Sequence, residues 1–225
     1  MNDAREDNFM KIKTTYILID TSGSMHDCQV HSRASAVNLA MREVMVDVLP
    51  RIITEKDAEY EPNIAVLTFS SYGIDWHISK TKMEDVAGDW MDISRFSGAT
   101  SVGEAIKMVI EDINMGCYGE PNPDEIAPTI ILMSHGEFDG TDKVSYEEAL
   151  DYANPNNPNF CRTFKYANRI AIGIQPDNNG INLLKKFGRT SASLSAVGVQ
   201  PYYDCTDVKT DTLIRVMESP FSLIV

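Results

Sequence analysis

The sequence predicts an α/β fold in which helices cover both faces of a central six-stranded sheet. Segments with strand patterns alternate with segments of helical spacing along almost the whole chain. The strand segments are apolar at nearly every position, which is typical of strands buried on both faces of a parallel sheet. The strand segments 63–70 and 74–79 are too close in sequence for a helical crossover between them, so the second should be an antiparallel edge strand. The expected architecture is a three-layer, doubly wound, mostly parallel sheet.

The first half of the chain begins with a strand, a helix and a hairpin. TTYILID, residues 14–20, predicts a buried strand that ends in polar residues. Apolar residues then recur at every third or fourth position, which predicts an amphipathic helix over 30–49 that stops near Pro50. NIAVLTFS, residues 63–70, predicts the second strand. A short SYG turn leads to IDWHIS, residues 74–79, which is the expected antiparallel edge strand.

The rest of the chain continues the alternation of helices and strands. The loop-forming stretch NPNNPN separates two of these elements, because neither a helix nor a strand tolerates it. Gly188 should close the predicted helix 180–188, which follows the fifth strand. The remaining predicted strands are 128–134, 169–174 and 201–205, and the remaining predicted helices are 101–113, 145–153, 180–188 and 207–218.

Composition excludes several classes of function. The net charge is −13, from 33 acidic and 20 basic residues, so we expect no binding to nucleic acid or to an anionic membrane. The apolar runs are strand-sized and the polar segment 1–13 lacks a signal-peptide pattern, so we expect one cytoplasmic domain over 14–225. The cysteines form no C-x-x-C pair, which argues against a zinc ribbon and favours reduced thiols; they are Cys28, Cys117, Cys161 and Cys205.

Oxygen-bearing side chains follow the predicted strands at one edge of the sheet. Asp20 ends the first strand, and Ser22 and Ser24 follow it. Thr100 lies in the loop before a predicted helix, and SHG, residues 134–136, follows another strand. Hydroxyls with a carboxylate suit Mg²⁺ or Mn²⁺. The same residues could instead form a turn with Asx-type hydrogen bonds, and Thr100 could cap the helix.

These motifs resemble a von Willebrand factor A (vWA) domain. D-x-S-x-S at Asp20, a G-x-T-like element at Thr100 and the LMSHG segment occur in the order of that family, and the resemblance covers about residues 14–218. It implies a Rossmann-like, three-layer fold with a metal-ion-dependent adhesion site. The segments YILIDTSGSM, GATSVGEAI and RIAIGI are most similar to bacterial TerY-type proteins, which are linked to tellurite resistance and stress responses.

The resemblance also implies roles for particular residues. Ser22 and Ser24 would bind the metal directly, Thr100 would bind it in at least one state, and Asp20 would act directly or through water. A carboxylate from a partner protein would take the open coordination position. The metal residues expected from the motif match are Asp20, Ser22, Ser24, Thr100 and His135.

His135 departs from the family pattern, which has aspartate at this position. A neutral imidazole supplies no negative charge, and it suits Zn²⁺, Ni²⁺ or Cu²⁺ better than Mg²⁺. The neighbouring Glu137 and Asp139 could supply the missing charge. The site is therefore expected to bind Mg²⁺ weakly, to bind another metal, or to have lost metal binding.

Three functions remain from these observations. The first is a non-enzymatic module that captures an acidic group of a partner protein, in a bacterial stress-response or signalling complex with a kinase or phosphatase companion. The second is a degenerate, metal-free scaffold, which the histidine favours. The third is a Mg²⁺-dependent hydrolase with Asp20 as nucleophile; the chain argues against it because Ser22 replaces the second aspartate of D-x-D and does not lie in G-x-S-x-G.

Overall fold

The six strands form one sheet in the order β3-β2-β1-β4-β5-β6, parallel except for β3. The computed structural model describes residues 11–26, 32–55, 60–115, 125–138, 143–205 and 210–222. The strands are β1 (Lys11–Asp20), β2 (Tyr60–Ser70), β3 (Gly73–Lys82), β4 (Glu125–Ser134), β5 (Asn168–Ile174) and β6 (Tyr202–Cys205). The predicted fold class, including the antiparallel edge strand, is confirmed.

The longer helices follow the predicted order, and several short helices lie between them. Those described are α1 (Arg33–Glu43), α2 (Leu49–Glu55), α3 (Met83–Val86), α4 (Val102–Met115), α5 (Tyr146–Asp151), α6 (Arg162–Tyr166), α7 (Asn178–Phe187), α8 (Ala192–Ala196) and α9 (Thr210–Ser222). A 3₁₀ turn covers Gly23–His26, directly after β1. The short helices α3, α6 and α8 have too few residues for a hydrophobic period, so the sequence did not predict them.

Side chains of β1 alternate between two hydrophobic cores, one on each face of the sheet. Ile17 and Ile19 belong to the core beneath α1, α2 and α9, whereas Tyr16 and Leu18 belong to the core beneath α4, α5 and α7. All four side chains are fully buried. Burying one such aliphatic side chain contributes about 1.5–3 kcal/mol. The sheet is thus fixed from both sides, and only its ends are left for polar chemistry.

The helix after β1 does not stop at Pro50, so that prediction is wrong. The helical backbone runs from α1 through a π-helical segment, Val44–Val48, into α2. In this wide turn the N–H of Leu49 donates to the carbonyl of Val44. Pro50 then stands at the second position of α2, directly after this wide turn.

Gly188 follows α7 as predicted, but for a different physical reason. Its φ is −62°, so it does not adopt the left-handed conformation of a usual glycine cap. A Cβ at this position would lie 2.4 Å from the carbonyl oxygen of Pro201. The absence of a side chain therefore permits the segment before β6 to pass close to the end of the helix.

Within the described ranges, no helix combines the length and the apolar character that a membrane span requires. Cys161 and Cys205 are buried, whereas Cys28, Cys117 and Asp139 lie outside the described residues. Strand β1 begins at Lys11, so it includes the last three residues of the predicted polar tail. Residues 1–10 are also outside the described ranges.

Candidate functional site at the carboxyl edge of the sheet

The topology brings the predicted polar residues to one place. The chain goes from β1 to β2 on one side, and β4 pairs with the other side of β1. Ligands bind at such a switch point, beyond the carboxyl ends of the strands. Ile19 is opposite Met133 in the β1–β4 register. Asp20 and Ser134, the next residues of the two strands, therefore meet at this edge.

Asp20 is a fully buried acceptor at the centre of the site. The backbone N–H of Ser22 donates to its Oδ1 at 2.9 Å. The hydroxyl of Ser134 donates to its Oδ2 at 2.6 Å, and Nδ1 of His135 lies 3.1 Å from the same oxygen. Three donors from two loops therefore satisfy this carboxylate, which repays much of the cost of burying it.

The two serines of the first loop lead from Asp20 to the histidine. The hydroxyl oxygens of Ser22 and Ser24 are 3.1 Å apart. The Ser24 hydroxyl lies 2.8 Å from Nε2 of His135. Four of the five predicted site residues, Asp20, Ser22, Ser24 and His135, thus form one hydrogen-bonded cluster.

His135 is enclosed, and each of its ring nitrogens faces a carboxylate. Only 2% of its side chain is exposed. Nδ1 faces Asp20, and Nε2 lies 3.2 Å from Oε2 of Glu137. The Glu137 side chain is 63% exposed, so it covers the ring from the solvent side. The imidazole is held between a buried carboxylate and a solvated one.

The pKa of His135 is raised above its ordinary value. Burial alone would lower this pKa, because it disfavours the charged ring. The hydrogen bond and charge of Asp20 act in the opposite direction, with a smaller contribution from Glu137. The two carboxylates together outweigh the burial and favour the protonated imidazole.

Thr100, the fifth predicted residue, lies in the neighbouring loop and is buried. The N–H of Gly23 donates to the carbonyl of Gly98 at 2.8 Å, and the N–H of Ser97 donates to the carbonyl of Thr21 at 2.8 Å. These two backbone bonds join the loop after β1 to the loop before α4. They bring Thr100 to the same edge of the sheet as Asp20.

Gly136 sets the path of the chain after His135. Its φ is +87°, a conformation that side chains rarely adopt, and a Cβ would lie 2.5 Å from the Cα of Gly180. The loop after β4 therefore passes directly against the first turn of α7. This close approach fixes the backbone from which the imidazole reaches Asp20.

Two further residues contribute to the site. Ser134 donates to Asp20 and also accepts the N–H of Gly136 at 3.0 Å. Arg33 donates from Nη1 to the carbonyl of Ser24 at 2.8 Å and places a positive charge beside the cluster. Ser134 could have been found as the first residue of SHG; no pattern in the sequence pointed to Arg33.

The donor set does not fit an Mg²⁺ ion coordinated by oxygen. Such a site uses one or two carboxylates, but Asp20 already accepts from three protein donors and the adjoining His135 supplies no carboxylate. The Ser24 hydroxyl, a predicted ligand, is bonded to the imidazole. Within the described part of the chain, no group of three or more His, Cys, Asp or Glu side chains is placed to hold a metal ion.

Comparison with solved structures places this architecture among known folds. The structure is similar to the pilus adhesin SpaC of Lactobacillus rhamnosus GG, with a TM-score of 0.62, 15% identity, and coverage of 96% of this chain and 31% of the adhesin. It is also similar to proximal thread matrix protein 1 of the mussel byssus, with a TM-score of 0.55, 15% identity, and coverage of 95% of this chain and 46% of that protein. A von Willebrand factor type A protein of Catenulispora acidiphila matches with a TM-score of 0.52, 14% identity, and coverage of 94% of this chain and 42% of that protein.

These similarities define the class of fold. The chain has the vWA fold, a Rossmann-like three-layer sheet with its polar site at the carboxyl edge. It spans from about a third to just under half of the length of these three structures. No protein-family model matches the sequence, and no curated protein is found to be similar. The resemblance in fold extends over nearly the whole chain, at low sequence identity.

Proposed function

We propose that this protein is a non-enzymatic interaction module that docks an acidic group of a partner protein at the carboxyl edge of its sheet. The observation that carries the proposal is a pair of arginines beside the site on a chain with net charge −13. Arg33 is bonded to the Ser24 carbonyl, and the guanidinium of Arg95 lies 5.3 Å from the ring centre of Tyr72. Arginine is well suited to bind a carboxylate from a partner.

A groove next to Asp20 offers a place for such a group. It has a volume of about 240 Å³, and its lining includes Thr21, Tyr72 and Arg95. Tyr72 is 65% exposed, and exposed aromatic and arginine side chains are enriched at protein interfaces. The groove also contains two carboxylates, of which Asp92 is paired with Arg42 at 2.6 Å. Arg95 instead contacts the Tyr72 ring, so its guanidinium is well placed to bind an acidic side chain of a partner.

Burial of the polar cluster supports a non-enzymatic role. Asp20 is fully buried, and Ser22 and His135 are nearly so. A nucleophile or general base must come within hydrogen-bond distance of the substrate. These side chains are instead committed to one another, which supports a structural and binding role for the cluster.

The resemblance in sequence also bears on the cellular role of the protein. The similarity of the sequence to TerY-type proteins favours a role in a bacterial stress-response or signalling complex, with a kinase or phosphatase as companion. The motif match predicts capture of the acidic group through Mg²⁺ or Mn²⁺ at Asp20, Ser22, Ser24 and Thr100, whereas the docking proposed here is through arginine and needs no ion.

The test uses two pools of random synthetic peptides that differ only in one fixed residue, Glu in one pool and Gln in the other. Fluorescence anisotropy with the full chain should show tighter binding of the Glu pool. Arg95→Ala should weaken that binding about fivefold, or ~1 kcal/mol, as expected for a partly exposed charge pair. Arg162→Ala is the matched control, because Arg162 is exposed on α6, which leads to the opposite edge of the sheet.

Equal binding of both pools, or equal weakening by the two arginine variants, contradicts an acid-specific site. The non-enzymatic part of the proposal has its own test. Hydrolysis of p-nitrophenyl phosphate in the presence of Mg²⁺ that is lost in Asp20→Asn would show that the protein is an enzyme.

A further inference from the structure

Both ring nitrogens of His135 have polar partners within the chain. Nδ1 faces the Asp20 carboxylate at 3.1 Å, and Nε2 faces the Glu137 carboxylate at 3.2 Å. Nε2 is also 2.8 Å from the Ser24 hydroxyl. The ring is therefore committed on both sides to groups of the protein itself.

The ring is directed toward oxygens that the motif match assigns to a metal site. Nδ1 is close to Asp20, and Nε2 is 2.8 Å from the Ser24 hydroxyl, which in turn is 3.1 Å from the Ser22 hydroxyl. A divalent ion would need these oxygens to face it. Here they face the histidine ring instead.

We propose that the imidazole of His135 takes the place of the metal ion, so that the site is complete without a divalent cation. The ring joins the loop after β1 to the loop after β4, which is the connection that an ion would otherwise make. The exposed Glu137 carboxylate occupies the solvent side of the ring.

This inference rests on the proposed function only because both concern the same site. Its test uses no partner protein and no peptide. If the peptides fail to bind, the site can still be metal-independent. If the domain binds a metal, it can still dock an acidic group. The two proposals therefore fail separately.

The experiment is a calorimetric titration of the full chain with MgCl₂, MnCl₂ and ZnCl₂, each alone, at neutral pH. The wild type should show no saturable site, and its melting temperature should be the same in EDTA as in millimolar Mg²⁺. His135→Asp restores the second carboxylate and removes the ring, so its Mg²⁺ affinity should rise by about tenfold or more over the wild type. Asn159→Asp is the control, because it adds one carboxylate on an exposed loop away from the site and should change nothing.

One saturable Mg²⁺, Mn²⁺ or Zn²⁺ site in the wild type that disappears in Ser22→Ala/Ser24→Ala overturns the proposal. A folded His135→Asp protein with unchanged Mg²⁺ affinity also overturns it, because removal of the ring should leave the oxygens free for an ion. If His135→Asp does not fold, as judged by circular dichroism, the wild-type titration and the EDTA comparison decide the question alone.

Discussion

Two buried basic side chains lie at opposite ends of the neighbouring strands β4 and β5. His135 follows the carboxyl end of β4 and is held by carboxylates on both sides. Arg169 is the second residue of β5, and its guanidinium lies 4.7 Å from the ring centre of Phe164. Its Nε and Nη1 have no hydrogen-bond partner, and no ion pair among the described residues includes it.

The two environments shift proton affinity in opposite directions. Burial and, to a smaller extent, the charge of Arg189 lower the pKa of Arg169 to about 10, although Tyr146 acts in the opposite direction. This side chain still stays charged at neutral pH. In contrast, the carboxylates around His135 overcome burial and raise its pKa. The difference shows that an aromatic cage tolerates a permanent cation, whereas the charge on a histidine depends on specific partners.

The comparison predicts its largest effect at Asp20. Asp20→Asn keeps the size of the side chain but removes the negative charge from a fully buried pair. We expect a loss of about 3 kcal/mol in the free energy of unfolding, measured by urea denaturation. The exposed Asp89→Asn is the control and should change stability by less than about 0.5 kcal/mol. A loss as small as that of the control would show that the pair contributes nothing.

A smaller effect is expected from pH. Because the folded-state pKa of His135 lies above its ordinary value of 6.5, its contribution to stability is fully present below that value. The contribution should decline as the pH rises through the folded-state pKa. The difference in unfolding free energy between the wild type and His135→Gln should therefore shrink across this range. A difference that grows with pH would mean that the neutral ring is the form stabilised by the fold.

The smallest effect is expected at Arg169. Arg169→Met replaces a cation that lacks a carboxylate partner with an apolar side chain of similar length. The loss of ring contacts is offset by the removal of a buried charge, so unfolding free energy should change by less than about 1 kcal/mol. Denaturation by urea measures it against the wild type. A loss as large as that of Asp20→Asn would remove the contrast between the two basic side chains.

The fold could be predicted from the sequence because it depends on repeated local patterns. The continuous apolar strands 14–20 and 128–134 and the hairpin at 74–79 each carry their own signal. The positions of Asp20 and Ser24 at the sheet edge followed from strand order. Such features are read from segments of about ten residues, and the structure places them as predicted.

The hydrogen bonds that close the site could not be predicted in the same way. His135 and Asp20 are 115 positions apart in the chain, and no local period encodes which way the imidazole turns. The covering role of Glu137 depends on the backbone bend at Gly136, which in turn depends on contact with Gly180. The contact of Arg33 with Ser24 likewise arises only when α1 packs against the sheet.

The central claim is that the His135 ring holds the place of a metal ion through its contacts with Asp20 and Ser24. Long-range ¹H–¹⁵N NMR spectra of the ¹⁵N-labelled full chain test this directly. Comparison with His135→Gln identifies its signals among those of the four histidines. We expect both ring nitrogens to give the same shifts with EDTA and with added Mg²⁺. A ring nitrogen of His135 whose shift changes to that of a metal-bound nitrogen when Mg²⁺ is added would contradict the account.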